Sequence, residues 1–63
     1  MSISKAYLDR LHTRLLNLAE QVANKADYEA GETQEQEERA NALREVSDAL
    51  YEAMTHIEQY ANI

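Results

Sequence analysis

Gly31 is the only residue in this 63-residue chain that interrupts a helix; there is no proline and no second glycine. Alanine, leucine, glutamate, glutamine and arginine, all strong helix formers, dominate both flanks. A chain punctuated once, near its middle, has two long helices as its simplest outcome.

The apolar spacing supports that outcome on each side. At about 100° per residue, Leu8, Leu11, Leu15, Leu18, Ala19, Val22 and Ala26 share one face of a first helix. His12, Leu16 and Ala23 widen that face on one side. In the second half Leu43, Val46, Leu50, Ala53, Met54, Ile57 and Ala61 form one stripe, flanked by Ala42, Ala49 and Tyr60. From Leu8 to Val22 the large residues alternate spacings of three and four, and the second stripe uses the same two spacings, the pattern of a helix packed along another helix.

Local signals place the ends. Ser2 or Ser4 is the expected N-cap of the first helix. Gly31 is expected at the left-handed position that closes it. Thr33 and Gln36 form a T-x-x-Q capping box for the second, with glutamates at 35, 37 and 38 favoured by the helix dipole. The expected architecture is all-α: helix one over about 3–29, a turn at about 30–32, and helix two over about 33–62, in one domain spanning 1–63. So short a connection makes the helices antiparallel neighbours. Residues whose numbers sum to 65 then pair: Val22 with Leu43, Leu15 with Leu50, Leu11 with Met54, Leu8 with Ile57. Leu18 with Val46 misses this register by one. The expected core is therefore Leu8, Leu11, Leu15, Leu18, Val22, Leu43, Val46, Leu50, Met54 and Ile57. One seam cannot bury an apolar arc that covers nearly half of helix one, so the hairpin is expected to pair with a second copy as a four-helix bundle.

Several function classes lack their residues. There is no cysteine, which removes disulfide frameworks and thiolate metal sites. Glu52 and His56 have the i, i+4 spacing of a metal pair, but no further ligand converges on them, and neither a metal nor another cofactor is expected. No serine or threonine stands at a recognisable spacing from a base and an orienting acid, so no enzyme is expected. No apolar run approaches the roughly 18 residues of a membrane span, and the N-terminus lacks a signal-peptide core; a cytoplasmic location is expected.

Charge narrows the partners. The net charge of −6 falls entirely in residues 31–63, where Arg39 and Arg44 face eight acids. Such a chain is repelled by phosphate backbones unless its cations are segregated. A segregated stripe does exist on helix one: Arg10, Arg14, Asn17, Gln21, Asn24 and Tyr28, with Lys25 beside it, on the face opposite the core. Together with Tyr51 it is the candidate partner surface, because such tyrosines are enriched at interfaces. The acidic run from Asp27 to Glu38 has a sufficient local explanation as a helix start. The leading expectation is a non-enzymatic protein-interaction module; the alternative is a dimeric DNA or RNA binder using the helix-one stripe.

Two resemblances accompany these residues. The hairpin and its expected pairing are similar in architecture to the small RNA-binding plasmid copy-number regulator that folds as a four-helix bundle. From "MSISKAYLDRLHTRLLNLAEQ" to "MTHIEQYANI" the chain resembles the small early proteins encoded between the exonuclease and excisionase genes of lambdoid bacteriophages. That resemblance implies an accessory early regulator in the host cytoplasm, favouring lytic development and perturbing the host cell cycle through a host or phage protein. It carries over no functional residue.

Overall fold

The computed structural model describes residues 3–61 as two α-helices, α1 (Lys5–Glu29) and α2 (Gln34–Ala61), packed antiparallel as a hairpin. Ser2, and position 62 of the expected second helix, lie outside the described residues. The radius of gyration is 14.6 Å, against about 11 Å for a compact domain of this length. The molecule is a rod, and most side chains face outward from it.

Both helix starts follow the local sequence. Ser4 caps α1: its Oγ accepts from the Tyr7 N–H at 3.1 Å, and its carbonyl accepts from the Leu8 N–H. Thr33 caps α2 reciprocally. Its Oγ1 accepts from the Gln36 N–H at 3.2 Å, while the Gln36 Oε1 accepts from the Thr33 N–H at 3.2 Å. Two otherwise unpaired donors are satisfied, as a capping box requires.

The end of α1 departs from expectation. Its last turn closes with the Ala30 N–H donating to the Ala26 carbonyl at 2.9 Å, and Ala30 itself turns extended at φ −61°, ψ 136°. Gly31 does not adopt the left-handed conformation. The absence of a side chain serves a different purpose there: a Cβ would collide with the Gln36 carboxamide, which folds back over the turn. Glycine thus makes room for the cap of the next helix.

The seam between the helices is built from small residues. Ala19, Ala26 and Ala40 are wholly buried and Ser47 is 4% exposed, while Leu8 and Met54 close the open end. Ala19 and Ala26 are seven residues apart, as are Ala40 and Ser47, so each helix presents them as one straight line. Small side chains at a contact let two helix axes approach closely. The Ser47 Oγ crosses the seam and donates to the Ala19 carbonyl oxygen at 3.1 Å. A buried hydroxyl needs such a partner, and this one also pins the register, one residue from the expected pairing.

Close approach moves the larger residues aside. Leu11, Leu15, Val22, Leu43, Leu50 and Ile57 are half-buried, and Leu18 and Val46 stay 46% and 48% exposed. Among the described residues no large side chain is fully buried.

Candidate functional site

The hairpin has two broad faces, and they differ. A helix turns about 100° per residue, so residues one before a seam position lie well round to one side. In antiparallel helices the same side of each helix comes to the same face of the pair. Leu18 precedes Ala19, and Val46 precedes Ser47, so both flank the seam on one face. Leu11, Leu15 and Val22 join Leu18 there from α1, and Leu43, Leu50, Ala53 and Ile57 join Val46 from α2. The result is a long apolar surface crossing both helices.

Its turn end carries a charged corner. Glu29 forms ion pairs with Lys25 at 3.1 Å and with Arg39 at 3.7 Å, and the Lys25 Nζ also sits 5.1 Å from the Tyr28 ring centroid. Ala42 and Leu43 lie beside these groups in a shallow groove. At the other end Ile3, Leu8, His56, Ile57 and Tyr60 line a second depression.

The opposite face is bridged by polar pairs. His12 Nε2 lies 3.2 Å from the Glu58 carboxylate, and Arg44 lies 3.7 Å from Asp27. Leu16 and Ala23 lie between them, half-buried. Tyr51, 42% exposed, belongs to this side rather than to the apolar one. Both bridges connect α1 to α2, so they close this face over the seam.

The helix-one stripe is solvent-facing along its length: Arg10, Arg14, Asn17, Gln21, Asn24 and Tyr28 are all exposed, Tyr28 at 81%. Among the described residues Lys25, Arg39 and Arg44 have carboxylate partners, whereas Arg10 and Arg14 make no ion pair. Both arginines line shallow depressions with Tyr7, Leu11, Thr13 and Asp9. Asp9 therefore adjoins the basic stripe directly. Tyr51 is on the other helix and does not extend it.

Glu52 and His56 are exposed, and no group of three or more metal-binding side chains lies among the described residues. No described helix is long and apolar enough to cross a membrane. The sequence reading missed Ala40 and Ser47 as seam residues and Glu58 as the partner of His12. Their signal was the seven-residue repeat of small residues, 40 to 47 beside 19 to 26, which hydrophobicity alone undervalues. Comparison with known protein families, characterised proteins and solved structures gave no match for the chain.

Proposed function

We propose that the protein is a non-enzymatic interaction module that works as a homodimer, a four-helix bundle formed by two hairpins meeting through their apolar faces. One observation carries this reading: Leu18 and Val46, near the midpoints of their helices, remain about half exposed on the same face. Fully burying such side chains contributes ~1.5–3 kcal/mol each, and the fold of one chain leaves about half of that contribution unused. The outer surface of the bundle, with Tyr28, Tyr51 and the helix-one stripe, then receives a protein partner. By the phage resemblance that partner is a host or phage protein, and engagement favours lytic development. Sedimentation tests the dimer: the wild type should associate at micromolar concentration, and Leu18→Asp/Val46→Asp should remain monomeric. A wild-type 7.2 kDa monomer throughout that range would refute it. Affinity capture from infected bacterial lysate should return a protein that survives nuclease treatment.

The unpaired Arg10 and Arg14 favour a second reading, a nucleic-acid binder. Against it stand Asp9 beside the arginines and a net charge of −6. Exposed charges at these separations still interact across a Debye length of ~8 Å at physiological salt. We expect no gel shift of duplex DNA or structured RNA at about 0.15 M salt. A tight shift lost in Arg10→Glu/Arg14→Glu would establish the second reading instead.

A further inference from the structure

Four of the six lysines and arginines have an acid four residues away on their own helix: Lys5 with Asp9, Lys25 with Glu29, Arg39 with Glu35, and Arg44 with Asp48. Such spacings stabilise a helix. Arg10 and Arg14 are the exceptions. Neither has an acid three or four residues away, and each stands four residues from the other, where like charges repel. The fold does not compensate, because neither arginine makes an ion pair among the described residues. The α2 carboxylate that reaches α1 at this end, Glu58, goes to His12 on the opposite face. Asp9 lines a shallow depression with both arginines and offsets part of their charge without pairing to either. A chain with twice as many acids as lysines and arginines thus keeps two cations in mutual repulsion.

The groups around them add an apolar component. Arg10 and Arg14 share a depression with Tyr7, which is half exposed, and Leu11, which is half-buried. Residues one helical turn apart have Cβ atoms ~5–6 Å from each other, so two guanidinium forks and an aromatic ring fall within one patch. Resting on the interaction-module reading above, we infer that this patch docks an acidic helical segment of the protein partner. Two carboxylates one turn apart sit on the arginines, and an apolar side chain between them covers Tyr7 and Leu11.

Arginine and carboxylate form two parallel hydrogen bonds, which fix orientation as well as charge. Docking also relieves the repulsion between Arg10 and Arg14, so the segment supplies what their own helix lacks. A free anion would leave Tyr7 and Leu11 uncovered. A nucleic-acid backbone would run past the two arginines into the field of a chain with net charge −6. A short acidic segment brings only the charges that the arginines neutralise.

Fluorescence anisotropy with labelled peptides tests the site. The probe is an alanine-rich helix carrying leucine and two glutamates four residues apart; its counterpart has glutamine at both places. Wild type should bind the glutamate peptide about tenfold more tightly at about 0.05 M salt, and the difference should shrink at about 0.15 M. Arg10→Glu/Arg14→Glu should lose that preference and favour a peptide with lysine in place of both glutamates. Stability separates docking from folding. Arg10→Glu alone places an acid four residues before Arg14, so it should melt at or above wild type while binding the glutamate peptide about tenfold less tightly. Equal binding of the glutamate and glutamine peptides, binding of neither, or undiminished affinity in Arg10→Glu/Arg14→Glu overturns the inference. Duplex DNA bound in preference to the glutamate peptide overturns it in favour of phosphate. Sedimentation keeps the two proposals apart: a monomeric wild type that prefers the glutamate peptide removes the dimer and supports the docking site. A dimer without that preference removes only the docking site.

Discussion

Ala19→Leu tests the small-residue seam most directly. Ala19 has no exposed surface, and its carbonyl oxygen receives the Ser47 hydroxyl at 3.1 Å from the facing helix. A leucine there adds three carbons between backbones already close enough for that hydrogen bond. The helices must then separate, which breaks the bond and opens the contacts at Ala26 and Ala40, or the leucine must take a strained rotamer. Overpacking of this kind costs typically ~1–3 kcal/mol. A domain this small loses roughly 4–8 °C per kcal/mol, so the melting temperature should fall by roughly 4–24 °C. Thermal unfolding followed by circular dichroism at several protein concentrations measures it. Ala6→Leu, at an exposed position of α1, is the control and should stay within about 0.5 kcal/mol of wild type. If Ala19→Leu melted at or above the wild-type temperature, the helices would not meet at Ala19. The seam would then follow the Leu18 and Val46 spacing read from the sequence.

Three further outcomes follow from the structure. Ser47→Ala should cost at most ~1 kcal/mol in a chemical melt, because a methyl fits the seam and the Ala19 carbonyl still serves its own helix. Thr33→Ala should cost about 1 kcal/mol through the lost cap, and Gly31→Ala should cost less than Thr33→Ala. Gly31→Ala displaces the Gln36 carboxamide, to which the Thr33 hydroxyl donates at 3.0 Å, so the double variant should cost less than the sum in a double-mutant cycle. Helicity of the wild type should fall on dilution through the micromolar range if, as proposed, a second copy covers the apolar face; constant ellipticity across a hundredfold dilution would contradict that coupling.

Helix number, helix starts and chain direction were legible because each has a local cause. One glycine divides the chain, Ser4 and Thr33 accept from backbone groups three residues on, and a short turn leaves no choice but antiparallel. The seam was harder to read because Leu18 and Ala19 are neighbours, as are Val46 and Ser47. A stripe weighted by hydrophobicity centres on the leucine and the valine, whereas close helix packing selects the alanine and the serine. Ser47 in particular reads as a polar surface residue until a carbonyl is found across the seam to accept its proton. Gly31 illustrates the same limit. Its position was legible, but its reason lies in a side chain five residues later. The partner surface was the least legible part, since exposure of Arg10, Arg14 and Tyr28 follows from the helical period while their use depends on another molecule.

The displacement of large residues from the seam leaves each helix with two distinct apolar surfaces. Ala19, Ala26, Ala40 and Ser47 hold the hairpin together by close approach, and they contribute little apolar area to anything else. Leu11, Leu18 and Val46, turned aside by that same approach, stay outside the hairpin contact, where the proposed dimer would bury them. A hairpin whose leucines filled its own seam would stand alone more readily and offer a partner less. The exposed face is thus a consequence of how the seam is made: shrinking the contact residues is what puts the large ones outside.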